Sequence, residues 1–224
     1  MAQYYIYLKQ VPQGQAALEK AVENDPDNYW YSQGLANLYQ QQNETEKAKR
    51  LLEGMTTRFS GKLDPLYALL EIYNQEEEYD KVIGTLNRLE EKMGKNEQIS
   101  MEKFRIYLQM KDNKNAFNEI ESLVAEYPMD TRYQVVLGDV YLQNGKKEEA
   151  YNLYRKVLDA EPDNAMAMYS LASYYDATGQ KELYQQQLDT LLLNKKVASD
   201  TKLNVMRQFI VQNEQESKDS TLVI

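Results

Sequence analysis

Four glutamines, Gln41, Gln75, Gln109 and Gln143, stand 34 residues apart. A primary amide both donates and accepts hydrogen bonds, so amides repeated at a constant step can satisfy the N–H and C=O groups of an extended backbone. Two further columns share that step. Tyr67, Met101, Val135 and Tyr169 form a mostly apolar stripe, and Glu71, Arg105 and Asp139 alternate in charge. This is equipment for recognition rather than for making bonds. The chain has no Cys and no His. Thiol nucleophiles, disulfides and thiolate metal sites are excluded, and the commonest general base and metal ligand is missing. Catalysis would fall to carboxylates, Lys, Tyr or Ser, and no convergent set of these is visible, so no enzyme, metal site or cofactor is expected. The run Glu76-Glu77-Glu78 reads as a solvated acidic turn, and the acids of "DPDN" (25–28) and "EPDN" (161–164) lack the ligand spacing of a calcium loop.

Composition narrows the partners. The 224 residues carry a net charge of −9, and the basic pairs Lys146-Lys147 and Lys195-Lys196 are isolated, which argues against nucleic acid. No apolar run has the length of a membrane span, and "MAQYYIYLKQ" lacks the layout of a signal peptide. The compartment stays open between the cytoplasm and, if a signal was removed, a bacterial cell envelope. Only 9 Gly and 5 Pro against 19 Tyr and abundant Gln, Asn, Glu and Lys favour helices.

The elements that must carry those columns follow from the same period. Units begin at residues 29, 63, 97, 131, 165 and 199, after a partial unit 1–28. Position 11 reads Tyr5, Tyr39, Tyr73, Tyr107, Tyr141, Tyr175 and Phe209; position 24 reads Leu18, Leu52, Leu86, Ile120, Tyr154 and Leu188. Within each unit apolar residues recur twice at helical spacing with a break between, giving an A helix, a tight turn and a B helix. The pattern predicts helices at 30–42 and 46–58, 64–76 and 79–92, 98–110 and 114–126, 132–144 and 147–160, and 166–178 and 181–193. Gln42-Asn43, Asn144-Gly145 and Thr178-Gly179 fall at the A–B turns, where Gly or Asn takes the left-handed conformation. Asn28, Asn96, Asp130 and Asn164 at position 34 are placed to cap the next A helix. The position-11 tyrosines are expected to be largely buried. Small residues at position 20 are expected to admit position 8, with a size exchange at Tyr184 and Ala172.

These columns resemble the tetratricopeptide repeat. Unit 131–164 carries Leu137-Gly138, Tyr141, Ala150, Tyr154 and Pro162 at the family's signature positions, with Gln134 and Val157 departing from them. The resemblance implies an all-α solenoid of helical hairpins wound as a right-handed superhelix, one array over 1–224 with whole repeats at 29–62, 63–96, 97–130, 131–164 and 165–198 and a partial repeat at 199–224. It further implies a protein- or peptide-binding scaffold whose concave groove is lined by A-helix positions 2, 5, 9, 12 and 13. Carried over by position, the groove residues are Tyr67, Glu71, Gln75, Met101, Arg105, Gln109, Val135, Asp139, Gln143 and Tyr169.

Simpler explanations stand beside this one. Gln is a good exposed helix former, position 5 can pack on the next A helix, and the array could organise an assembly through its convex face or its ends. The family's clamp for chaperone tails needs Lys at position 5, which is absent, and only Asn37 matches it. The RNA-binding pentatricopeptide repeats have a 35-residue unit and do not fit the step or the charge. Trp30, at position 2, either covers the preceding helix or faces the groove mouth. Met1 falls inside an A helix and "TLVI" (221–224) where a B helix would begin. The expectation is a segment of a longer array, with residues 213–224 mobile or docked and some self-association through exposed array ends.

Overall fold

A computed structural model describes residues 10–207 and residue 210, and the expectation for 213–224 lies outside them. Among the described residues there is no strand, and eleven helices are complete: α1 (Val11–Asn24), α2 (Tyr29–Gln41), α3 (Thr45–Arg58), α4 (Asp64–Gln75), α5 (Tyr79–Met93), α6 (Glu97–Gln109), α7 (Asn113–Glu126), α8 (Thr131–Gln143), α9 (Lys147–Ala160), α10 (Ala165–Ala177) and α11 (Lys181–Leu193). A further helix begins at residue 199. Each expected pair is present, with ends displaced by at most one residue. The chain forms two compact units divided between Asp112 and Asn113, so the repeat 97–130 contributes α6 to the first and α7 to the second.

The caps and turns follow from residue chemistry. Asn28, Asn96, Asp130 and Asn164 each accept a hydrogen bond from a first-turn amide, those of Trp30, Ile99, Arg132 and Ala167, at 3.0–3.2 Å. Every A helix from α2 to α10 ends in one geometry. Position 15 takes a left-handed φ, at Asn43, Glu77, Lys111, Gly145 and Gly179. The amide of position 16 then reaches back to the carbonyl of position 11 at 2.8–2.9 Å, as Glu44 does to Tyr39 and Lys146 to Tyr141. Glu77 and Lys111 were not legible as left-handed residues, because their side chains carry no preference for that region.

In the first unit one core runs from Leu18 to Ile106, with Leu52, Leu66, Leu69 and Leu86 almost wholly enclosed. In the second, Val135, Ala150, Tyr154, Val157, Ala167 and Leu171 form one cluster, and Met168, Ala172, Leu188 and Leu191 another. At Gly138 the nearest neighbour of position 8 is not the position-20 residue. A Cβ on Gly138 would lie 2.5 Å from Cε1 of Tyr154, at position 24. The glycine is therefore the complement of a tyrosine; where position 24 is Leu52 or Leu188, position 8 is Ala36 or Ala172. Tyr184 does pack on the cluster that holds Ala172.

The tyrosine column is less uniform than expected. Tyr39 and Tyr73 are buried, and their hydroxyls donate to Glu19 and Glu53 on the preceding B helix at 2.9 and 3.0 Å. Tyr107, Tyr141 and Tyr175 are only half-buried. Tyr141 turns its ring to Phe117 and Lys146, and Tyr175 packs against Tyr151 and Tyr174 near the surface.

Candidate functional site

The expected groove residues lie on the A helices, and the two units present them differently. In the first unit position 5 is Gln33, Tyr67 and Met101, of which Tyr67 is exposed and the others half-buried. Position 9 (Asn37, Glu71, Arg105) and position 13 (Gln41, Gln75, Gln109) are exposed throughout. Along α2 the groups are linked: Gln33 donates to Asn37 Oδ1 at 2.9 Å, and Tyr29 Oη lies 2.8 Å from Gln33 Oε1 and 3.0 Å from Asp64 Oδ2 on α4. Burial and the Asp64 carboxylate push the Tyr29 hydroxyl up to about 12, so it keeps its proton and donates. The Tyr67 hydroxyl meets Met93 Sδ at 3.3 Å, Gln75 donates to Glu71 at 3.4 Å, and Arg105 pairs with Glu102 within its own helix. Trp30 covers nothing: it is 74% exposed and touches Tyr29 edge-on, with ring centroids 5.3 Å apart.

In the second unit two of the same columns turn inward. Val135 has no exposed surface and packs among Ala150, Tyr154 and Ala167, because α8 lies directly against α10 as well as α9. Asp139 is half-buried, accepts the Tyr154 hydroxyl at 2.8 Å and interacts with Ser170. Desolvation raises its pKa against the pull of those two hydrogen bonds. Asp139 is thus a half-buried acceptor tied to Tyr154, and Val135 a core residue. Gln143 remains exposed, and Tyr169 is half-buried beside Ala165 and Met168. Sequence columns report which side of a helix a residue is on; they do not report how closely the neighbouring A helix approaches, which decides whether that side is surface.

The acidic turn has a partner that sequence reading missed. Lys49, almost buried at position 21 of its repeat, reaches Glu46 at 2.5 Å, Glu76 at 2.7 Å and Glu78 at 3.0 Å. Glu78 also pairs with Lys81, and Lys81 and Lys49 hold its carboxyl down to about 2. A lysine at a position that is Ile83, Phe117 and Tyr151 in the next three repeats was the available signal. No group of His, Cys, Asp or Glu among the described residues could hold a metal, and no described helix is long and apolar enough to cross a membrane.

Helical hairpins with a recurrent turn, side-chain caps on most A helices and an apolar core within each unit define an α-helical repeat protein. Tetratricopeptide repeat models match residues 6–72, 101–155 and 135–183, and the chain belongs to the tetratricopeptide repeat family, whose fold serves as a protein-interaction scaffold. A TPR repeat-containing protein of Bacillus subtilis (strain 168), YpiA, is 23% identical over 121 residues, covering 54% of this chain and 29% of that protein. The chain therefore matches less than a third of that relative's length. Among solved structures, YrrB, described as a TPR protein with an unusual peptide-binding site, aligns with TM-score 0.54 and 19% identity over 85% of this chain and 98% of its own. A tetratricopeptide repeat protein from Parabacteroides merdae ATCC 43184 aligns with TM-score 0.55 and 12% identity over 96% and 85%.

Proposed function

We propose that the chain is a scaffold that binds an extended segment of another protein along its A-helix columns, and that it has no catalytic role. The observation that carries this reading is the state of the amide column. Gln41, Gln109 and Gln143 are exposed and form no side-chain hydrogen bond among the described residues, and Gln75 makes only the long contact to Glu71. Exposed amides at the ends of four A helices, two of which also carry Tyr67 and Met101 near their starts, suit a backbone with side chains seated at intervals. In the first unit the contacts are Tyr67, Glu71, Gln75, Met101, Arg105 and Gln109; in the second they are Gln143 and Tyr169, with Val135 and Asp139 holding the helix behind them. That YrrB, with the same fold, has a peptide-binding site supports the reading.

A structural role through other surfaces is the competing reading, favoured by large apolar side chains away from these columns, such as Met129 at 90% exposure. The two separate on one titration. With a partner identified by cross-linking, Tyr67→Ala combined with Gln109→Ala is expected to weaken binding about tenfold or more, as loss of an aromatic anchor does, without unfolding the chain. Unchanged affinity in the folded double variant rejects the A-helix reading in favour of the structural one.

A further inference from the structure

Three lysines rest on the aromatic column at position 11. Lys47 Nζ lies 5.4 Å from the Tyr39 ring centroid, Lys81 Nζ 5.1 Å from that of Tyr73, and Lys146 Nζ 5.2 Å from those of both Tyr141 and Phe117. The first two are neutralised, Lys47 by Glu44 and Lys81 by Glu78. In both repeats position 16 supplies the glutamate; in repeat 131–164 that position is Lys146 itself. Lys146 consequently forms no ion pair among the described residues, and neither does Lys114. These two lysines line one cavity of about 250 Å³ in the second unit, together with Asn113, Phe117, Tyr141 and Asn144.

The cavity is organised before any ligand arrives. The Phe117 and Tyr141 rings stand 5.5 Å apart, tilted by 53°, and the Lys146 ammonium sits against both. Lys146 is exposed, and the two ring faces bias its position without removing its charge. Asn144 donates to the Val140 carbonyl at 2.7 Å, which pins the turn bearing Lys146. The Asn113 side-chain amide has no partner among the described residues. The carboxylates that act on the Tyr141 hydroxyl, Glu121 and Glu149, pair with neither lysine. A volume this small suits one or two side chains rather than a drug-sized molecule.

We propose that this cavity is a second recognition site, distinct from the A-helix columns, that takes an acidic side chain of a partner protein. The carboxylate lies between Lys146 and Lys114, and an apolar side chain next to it in the partner packs on Phe117 and Tyr141. Charge-assisted hydrogen bonds from two ammonium groups hold the anion, and the aromatic floor selects an acidic residue with an apolar neighbour over a free anion.

The test is a titration of the isotopically labelled full chain, followed by amide chemical shifts, with acetyl-Phe-Glu-amide at millimolar concentrations. Saturable shifts are expected at Asn113, Lys114, Phe117, Asn144 and Lys146, with acetyl-Phe-Gln-amide binding about fivefold more weakly, the order of one surface charge-assisted contact. Lys146→Gln and Lys114→Gln should each abolish the difference between the two probes. Lys47→Gln and Tyr67→Ala should leave it unchanged, which separates this site from the A-helix reading. Absence of shifts at these amides, equal binding of the two probes, or equal displacement by inorganic phosphate overturns the proposal.

Discussion

The two units build the same hairpin from opposite choices at the same positions. At position 21 the first unit has Lys49, enclosed by three glutamates, as well as the core residue Ile83, and the second has Phe117 and Tyr151, packed on tyrosines, before Gln185. At positions 5 and 9 the first unit leaves Tyr67, Glu71 and Arg105 in solvent, while the second draws Val135 and Asp139 into contact with Tyr154. The first unit is therefore ionic at its A–B turns and open on its A helices; the second is aromatic at its turns and more closed on its A helices. Every A–B turn keeps one backbone geometry and four of the five A helices between Tyr29 and Ala177 keep a side-chain cap, while positions 5, 9 and 21 change both chemistry and burial.

The sharpest way to break this contrast is at Tyr154, which is fully buried and holds both Gly138 and Asp139. Tyr154→Ala is expected to cost about 4 kcal/mol, as large aromatic truncations do. Hydrogen exchange should speed up across α8–α10 while α2–α5 keep their protection. Equal loss in both units would mean that they do not differ in the way described. Gly138→Ala alone should cost about 1–3 kcal/mol by overpacking against the ring. Combining it with Tyr154→Leu recreates the Ala36/Leu52 pairing, and the two changes should be far from additive.

A smaller effect comes from acid, with opposite signs in the two units. Glu78 has a folded pKa near 2, below its ordinary 4.5, so its contribution is present above pH 4.5 and is lost as pH falls toward 2. Asp139 is raised from 3.8, so its carboxylate penalises the fold at neutral pH, and that penalty is relieved as pH falls through the raised value. Melting curves across that range should show Asp139→Asn flattening the relief, and Lys49→Met flattening the acid loss. A variant whose pH profile matches that of the parent refutes the corresponding assignment.

The smallest effect tests the turn that both units share. Glu77 occupies the left-handed position that is glycine in the repeats of the second unit, Gly145 and Gly179. Glu77→Gly should raise stability by about 0.5–1 kcal/mol, the left-handed penalty less the added chain entropy of glycine. Gly145→Ala should lower it by a similar amount. Thermal denaturation decides both, and a loss of stability in Glu77→Gly would show that the glutamate side chain contributes to the turn.

Most of the fold was legible because its signals are local and repeated. Asn28, Asn96, Asp130 and Asn164 announce helix starts from their own chemistry, and the apolar spacing within each unit needs no distant partner to be read. The site was legible only as columns. The burial of Val135 depends on how closely α10 approaches α8, and the role of Asp139 on the hydroxyl of Tyr154 fifteen residues later. The Gly138–Tyr154 complement was present in the sequence, since only this repeat combines Gly at position 8 with Tyr at position 24, but the small residue at position 20 drew attention to the wrong partner. The glutamate at position 16 that becomes Lys146 was equally visible; its meaning required knowing that the lysine lies over a ring.

The turn at positions 15 and 16 has a kinetic consequence. Each A helix is closed by a bond spanning five residues, as between the Lys146 amide and the Tyr141 carbonyl. The two helices of a hairpin thus meet after a search over only a short stretch of chain, with little loop entropy to overcome. Any hairpin can serve as the seed from which order spreads to its neighbours. On the ribosome, the N-terminal hairpins can form while the C-terminal ones are still being synthesised, so the nascent chain need never expose all its apolar helix faces at once.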